Sequence, residues 1–263
     1  MSEQTPQSPY EAGKIPNAEM ERLKKFAWPD QVSFQLLPAD LHGKTVLDVG
    51  SGPRTKLGNE IEHRGGSYIG LDLNPEVLTS HQLEAPDHAL VRGNVLQLPA
   101  HNVDIAHTRF VLTSIPRQKR TEVVLELARV AKQNYMLEWD WDTFRPTTEF
   151  LKQFVNDMKD TVADMGTNLN TGAELEELIR TTLGKEYVIE KSVHREGPGL
   201  YYAELIDLAE GLGVGLSERL GNFDRANRFR AFAKKIREGL VPEEQIPFER
   251  PDIVAVMFEK KWT

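Results

Sequence analysis

The chain contains no cysteine in its 263 residues. This absence excludes disulfide bonds, thiolate metal ligands and a cysteine nucleophile, and it fits a reducing compartment. Among the seven histidines, no two have the spacing of a metal site. We therefore expect no bound metal.

Basic residues are in the minority, with 32 Lys and Arg against 40 Asp and Glu, which gives a net charge of -8. An acidic surface repels a phosphate backbone, so we expect no nucleic-acid partner. The sequence also lacks an apolar run long enough to cross a bilayer, and its first residues lack the basic-then-apolar pattern of a signal peptide. We expect a cytoplasmic protein without membrane association; the sequence does not indicate its oligomeric state.

Short apolar runs alternate with amphipathic helices from residue 45 onward. The predicted strands are 45–49, 68–73, 89–92, 103–107, 135–138, 187–190 and 253–258. The predicted helices between them are 55–64, 75–82, 119–133 and 172–183. Apolar runs that are separated by helices favour a parallel sheet in a doubly wound α/β domain.

Four segments follow from this pattern. Residues 1–40 are predicted to be an N-terminal arm followed by two lid helices, which are split at Trp28-Pro29-Asp30. Residues 41–190 form the α/β core, and residues 251–263 supply its final strand. Residues 191–250 are predicted to form a helical cap, with helices near 200–220 and 224–239. The alternative for this last stretch is a set of extra core helices.

A buried strand at 45–49 runs into the turn Gly50-Ser51-Gly52. Ligands of open α/β sheets bind beyond the carboxyl ends of the strands, where glycine lets the backbone approach closely. Such a turn is weak evidence alone, because many are ordinary tight turns. The next strand ends at Asp72, 20 residues after Gly52, where a carboxylate can accept both hydroxyls of a ribose. Asn74 is better suited than Asp72 to cap the helix that follows, which leaves Asp72 for a ligand.

The glycines do not decide between a dinucleotide and S-adenosylmethionine. Thr55 stands where a dinucleotide fingerprint needs glycine, and Arg54 stands where a methyltransferase turn prefers one. Asp48 does distinguish the two cofactors. An acid on the first strand suits the ammonium group of the methionine part of S-adenosylmethionine and does not suit the pyrophosphate of a dinucleotide. Asn94 can bond the adenine amino group while the N–H of Val95 reaches a ring nitrogen; the alternative for Asn94 is a plain turn residue.

Residues 45–142 resemble the core of class I S-adenosylmethionine-dependent methyltransferases, through motifs that occur in the same order. These motifs are VLDVGSG, YIGLDLNP, GNVLQLP, VDIAHTRFVLTSIP and YMLEWDWDTFRP. The fourth resembles a small-molecule subgroup, although Ser114 replaces the usual histidine. The resemblance implies a Rossmann-like, mostly parallel, seven-stranded sheet with helices on both faces and a helical cap. It also implies S-adenosylmethionine as cofactor and a small molecule as methyl acceptor.

The resemblance also implies roles for individual residues. Asp48, Gly50, Ser51 and Gly52 would surround the methionine part of the cofactor, Asp72 would hold the ribose, and Leu73 would pack on the adenine. Asn94 and Val95 would read the adenine, and Thr108 and Arg109 would lie at the sulfonium end. Arg54 either covers the methionine carboxylate or turns outward.

Two residues are candidates for acid–base chemistry at the acceptor. Methyl transfer is an in-line displacement that needs a base only if the nucleophile arrives protonated. His107 ends the fourth strand and belongs to the residue type whose ordinary pKa suits a general base. The alternative is a strand-end histidine that is bonded to the backbone. Asp140 is the preferred acceptor-site acid, with Trp139 and Trp141 alternating with it. The alternative for this segment is a solvated loop with two tryptophans that cap the core.

The leading interpretation is a methyltransferase that acts on a small-molecule O- or N-nucleophile. A methyltransferase of protein or nucleic acid is disfavoured by the acidic charge and by the absence of an Asn/Asp-Pro-Pro-Tyr segment after the fourth strand. A nicotinamide oxidoreductase is disfavoured by Thr55 and Asp48. A catalytically silent cofactor-binding module remains an alternative, because methyl transfer requires no signature side chain.

Overall fold

A computed structural model describes residues 17–25, 28–146, 148–195, 202–241 and 250–261 of the chain. The strands are β1 (Thr45–Val49), β2 (Ser67–Asp72), β3 (Ala89–Arg92), β4 (Val103–Arg109), β5 (Ala131–Asp140), β6 (Tyr187–His194) and β7 (Asp252–Lys260). The first helices are α1 (Asn17–Lys25), α2 (Trp28–Leu36), α3 (Lys56–His63), α4 (Pro75–Glu84) and α5 (Arg120–Val130). They are followed by α6 (Glu149–Ala163), α7 (Thr171–Leu183), α8 (Tyr202–Asp207), α9 (Gly215–Arg219) and α10 (Phe223–Arg237).

The seven strands form one sheet in the order β3-β2-β1-β4-β5-β7-β6. Neighbouring strands are parallel except for β7, which runs antiparallel to both β5 and β6. This topology confirms the predicted mostly parallel, doubly wound sheet. The strand order reverses between β1 and β4, so the carboxyl ends of these two strands open the crevice in which such folds bind ligands.

Alternate side chains of β1 pack into two different apolar clusters, one on each face of the sheet. Leu47 and Val49 pack with α5 and α7 on one face of the sheet. Val46 packs with α2 and α3 on the other. Because successive side chains of a strand point to opposite faces, a central strand covered by helices on both sides is apolar almost throughout.

Some elements begin or end elsewhere than the sequence predicts. The helix predicted over 119–133 ends at Val130, and Ala131 already opens β5. The Trp28-Pro29-Asp30 segment does not separate two helices but starts α2. A proline in the first turn of a helix is tolerated, because the N–H it lacks would have no intrahelical partner there.

Helix α6 was not anticipated from the sequence. Its buried residues Leu151, Phe154, Val155, Met158 and Val162 lie at helical spacing, and the Thr148 side chain accepts a hydrogen bond from the Leu151 N–H at 3.3 Å. The buried side of α6 contributes to a separate apolar cluster with α8, α10 and the π-helical segment Leu208–Val214. The cap predicted over 191–250 therefore shares its core with residues 141–169. The single helix predicted near 200–220 is three pieces: α8, the π-helical segment and α9.

No helix within the described ranges combines the length and the apolar character that a membrane crossing requires.

Candidate functional site

The turn after β1 is fixed by backbone hydrogen bonds to the neighbouring strand. The N–H groups of Gly50 and Ser51 both donate to the Leu71 carbonyl, at 2.7 and 3.0 Å. Gly50 has a φ of 73°, and a Cβ on it would stand 2.6 Å from Cγ2 of Val111. Gly52 has a φ of 65°, and a Cβ there would meet no atom within 4 Å. Both positions therefore need glycine, and the backbone at Gly52 faces open space.

Asp72 at the end of β2 holds this turn in place. Its Oδ2 accepts a hydrogen bond from the Gly52 N–H at 3.1 Å, and its Oδ1 accepts one from the Asn74 N–H at 2.9 Å. Asn74 caps α4 as predicted, accepting from the N–H of Glu76 at 2.9 Å. Asp72 thus has a structural task that the sequence did not reveal. Burial raises the pKa of Asp72, although the N–H groups that donate to it act in the opposite direction.

The turn after β3 contains the two residues predicted to read an adenine. Asn94 is exposed, and its Oδ1 accepts a hydrogen bond from the Leu96 N–H at 2.9 Å. The Gln97 N–H donates to the Asn94 carbonyl at 3.0 Å, which closes the turn. Val95 is buried beside it. The Asn94 side-chain oxygen therefore stabilises the turn, and the turn itself lines the crevice.

A buried group of charged and polar residues lies where β1 and β4 end. Asp48 is fully buried; His107 Nδ1 lies 3.1 Å from its Oδ1, and the Tyr68 hydroxyl donates to its Oδ2 at 3.2 Å. Burial alone would raise the pKa of Asp48, but the hydrogen bond from His107 and the charge of Arg109 lower it below its ordinary value. Burial lowers the pKa of His107.

Asp30 joins this group from α2, although no motif in the sequence marks it. It is 2% exposed, and its two carboxylate oxygens accept hydrogen bonds from Arg54 and Arg109. An acid in the first turn of a helix is ordinarily there to complement the helix dipole. Only the folded chain shows that this acid points inward between two arginines.

One continuous cavity lies at the carboxyl ends of the strands. Its first part is lined by the turns described above, through Gly50, Ser51, Gly52, Arg54, Asp72, Leu73, Asn94, Val95 and Arg109. Its second part extends into the apolar cluster of the cap and is lined by Trp139, Trp141, Phe144, Phe154, Leu169, Leu205, Leu208 and Leu212, together with Glu204 and Arg250. Eight of the ten predicted cofactor-binding residues thus come together in the first part.

Four predicted site residues lie outside this lining. Asp48, His107 and Thr108 are fully buried behind it. The His107 ring is held on both sides, because Nε2 lies 3.0 Å from the Ser33 hydroxyl of α2. Asp140 turns away and accepts a hydrogen bond from the Asp142 N–H at 3.1 Å. This geometry favours structural tasks for His107 and Asp140, and their catalytic roles stay predictions.

The second part of the cavity contains an acid that the sequence did not single out. Glu204 of α8 accepts a hydrogen bond from Arg250, next to β7. Burial raises the pKa of the Glu204 carboxyl to about 7, and the nearby Asp207 carboxylate adds to the shift. Burial also lowers the pKa of Arg250 to about 10. Among the described residues that line the cavity, Asp72 and Glu204 are the two acids.

Comparison with known proteins places this architecture in a family. Residues 47–137, which span β1 to most of β5, match a family model described as a methyltransferase domain. The match covers the turns that line the first part of the cavity. Residues 47–137 thus carry a methyltransferase domain, and S-adenosylmethionine is the cofactor of this domain family. No curated protein matches the sequence.

Solved structures resemble this methyltransferase in fold. The YcgJ protein from Bacillus subtilis has a TM-score of 0.57 at 15% identity, over 89% of this chain and 98% of its own. A protein of Anabaena variabilis that is described as a methyltransferase of an antibiotic biosynthesis pathway has a TM-score of 0.63 at 12% identity, over 92% and 100%. The phosphoethanolamine N-methyltransferase 2 of Haemonchus contortus, in complex with phosphomonomethylethanolamine and S-adenosylhomocysteine, has a TM-score of 0.54 at 14% identity, over 93% and 56%.

The residues at the first part of the cavity fit the cofactor S-adenosylmethionine. The open space at Gly52 leaves room for a ligand against the backbone, and Asp72 offers acceptor oxygens at the end of β2. The turn at Asn94 and Val95 supplies an amide and backbone N–H groups for a purine. When bound, the cofactor supplies an activated methyl group, so the protein's main tasks are alignment and the exclusion of water.

Proposed function

We propose that this methyltransferase transfers the methyl group to an O- or N-nucleophile of a small, largely apolar molecule. The observation that carries the proposal is the second part of the cavity, which continues from the turns of the sheet into the apolar cluster of the cap. Its walls are mostly aromatic and leucine side chains from β5, α6, α8 and the π-helical segment. A chamber of this composition suits a compact apolar body with few polar groups.

The first part of the cavity is proposed to bind the cofactor as the motifs imply. Asp72 accepts the ribose hydroxyls, Leu73 packs on the adenine, and Asn94 with Val95 reads it. The turn at residues 50–52 lies against the methionine part. Phe110 and Val111, which follow β4, line the cavity as well. An acceptor bound in the chamber is then placed opposite the methyl donor, as an in-line displacement requires.

Two polar groups in the chamber are proposed to orient the acceptor. Trp141 is 5% exposed, and its indole N–H has no hydrogen-bond partner. A buried donor without a partner is costly, so an acceptor atom of a ligand is well placed to satisfy it. Glu204 supplies the second group, because its carboxylate can accept the proton that a hydroxyl or amine nucleophile loses as it is methylated. The Arg250 guanidinium beside it stays protonated throughout.

A labelling experiment tests the acceptor class. The protein is incubated with methyl-labelled S-adenosylmethionine and either a panel of apolar phenols and amines or macromolecular extracts of protein and nucleic acid. We expect label in the low-mass fraction and loss of that label in Glu204→Gln and Trp141→Phe. Label confined to macromolecules would refute the proposal. Cofactor binding without transfer to either set would instead indicate a silent module.

A further inference from the structure

The helix that crosses the cap changes its winding where it passes the chamber. Helix α8, the π-helical segment Leu208–Val214 and α9 follow one another directly, and the backbone at both joins keeps α-helical angles. Leu208 and Leu212 of the π-helical segment line the chamber. A π-helical turn inside an α-helix is rare and frequently lies at a functional site. The packing of this segment therefore bears on what the chamber holds.

Gly213 of the π-helical segment packs directly on the ring of Phe229 from α10. Gly213 is buried, and a Cβ built on it would stand 2.6 Å from Cγ of Phe229 and 2.7 and 2.8 Å from its two Cδ atoms. The Cγ atom lies on the axis about which the ring turns, so a rotation of the ring does not move it away. With the helix and the ring where they stand, only glycine fits at position 213.

The Phe229 ring has no room to retreat. It is 1% exposed, and it meets the ring of Phe154 edge to face, with centroids 5.9 Å apart at an angle of 85°. Phe154 is stacked in turn on Phe232, with centroids 4.4 Å apart at 17°. Phe154 also lines the chamber, whereas Gly213 and Phe229 lie behind its wall. A row of packed groups thus connects Gly213 to the surface that faces an acceptor.

We propose that Gly213 determines the size of the methyl acceptor from behind the chamber wall. A methyl group at this position is accommodated either by Phe229 moving against Phe154 or by the π-helical segment moving with its leucines. Both movements displace a wall of the chamber, because protein interiors are close-packed and transmit strain. The inference rests on the proposed function, in which a small apolar acceptor binds in the chamber. Gly213 is a positioning residue of that wall.

Binding of a homologous series measures the size limit without turnover. The probes are para-n-alkylphenols, from methyl to hexyl, added to protein saturated with S-adenosylhomocysteine and followed by calorimetry. Each buried methylene should tighten binding by about fourfold until the chamber is full. We expect Gly213→Ala to reach this limit earlier in the series than the native protein. Its Kd for S-adenosylhomocysteine should stay within about twofold, because the turns of the sheet take no part in these ring contacts.

A matched control separates the size limit from a general loss of stability. Gly58 is a buried glycine of α3, and a Cβ on it would collide with the ring of His88, away from the cavity lining. Gly58→Ala therefore introduces the same kind of clash, and it should leave the size limit unchanged.

Phe229→Leu tests the same contact in the opposite direction, and it decides the question if Gly213→Ala does not fold. The smaller side chain gives Phe154 room to retreat, so the limit should move to a longer alkylphenol. An unchanged limit in every folded variant of this pair would overturn the inference and leave the proposed function standing. A native protein that binds no member of the series would overturn the proposed acceptor class, and the inference with it.

Discussion

Replacement of Asp72 separates what this carboxylate does for the turn from what it does for a ligand. In Asp72→Ala the N–H groups of Gly52 and Asn74 lose their acceptor. A buried donor that loses its acceptor costs about 1–3 kcal/mol, and water can reach these two groups through the cavity. We therefore expect the free energy of unfolding to fall by about 2 kcal/mol. For a chain of this size that corresponds to a fall in Tm of about 4–8 °C.

The same substitution removes the proposed acceptor of the ribose hydroxyls. Hydrogen bonds to a charged group are worth about 1.5–3 kcal/mol, so the Kd for S-adenosylhomocysteine should rise roughly 10- to 150-fold. Asp72→Asn keeps a carbonyl oxygen for the turn and loses the charge. We therefore expect it to recover about half of the lost stability while most of the affinity stays lost.

Thermal unfolding and calorimetry on both variants measure the two effects independently. Asp87→Ala serves as control, because that aspartate is exposed and lies outside the cavity lining. An unchanged Kd in a variant that is folded at the assay temperature would refute the ribose assignment.

Three further predictions concern the other parts of the site. Burial raises the pKa of Glu204 to about 7, so its carboxylate forms as the pH rises through 7. We therefore expect kcat/KM to increase across this pH range, and Glu204→Gln should flatten the dependence of kcat/KM on pH. His107→Ala should lower the free energy of unfolding in urea by roughly 2–4 kcal/mol, because it removes the hydrogen bond to Oδ1 of the buried Asp48 and leaves a cavity. A loss of activity at full stability would instead support a catalytic His107. Gly50→Ala should destabilise the fold by about 1–3 kcal/mol more than Gly43→Ala, which shares its positive φ but meets no neighbouring atom.

The sheet could be predicted from the sequence because its signals are local. Apolar runs gave β1 and β3 to the residue, and the glycine turn marked the crevice at their ends. The bounds of β4 and β5 were less accurate, since Thr108 and Ala131 carry no signal for where a strand ends. Helix α6 has clear amphipathic spacing, and it was nevertheless not predicted.

The chemistry behind the cavity wall could not be predicted, because it depends on contacts between distant positions. Asp30 meets Arg109 across 79 residues, and Glu204 meets Arg250 across 46. Asp30, Glu204 and Arg250 resemble ordinary surface charges in their own segments, and only Arg109 was selected from the sequence. The surroundings of His107 could not be predicted either. The sequence places this residue at a strand end, and the fold encloses its ring between Asp48 and Ser33.

The apolar cluster of the cap is separate from the two clusters that hold the sheet. Most of the chamber wall belongs to this cluster, and the turns that face the proposed cofactor belong to the sheet. Apart from a change at Trp139, which packs against this cluster and also against one cluster of the sheet, a substitution that reshapes the chamber strains the packing of α6, α8 and α10 and leaves the cores of the sheet intact. Such a division lets acceptor preference diverge among descendants of one chain while the cofactor half stays the same.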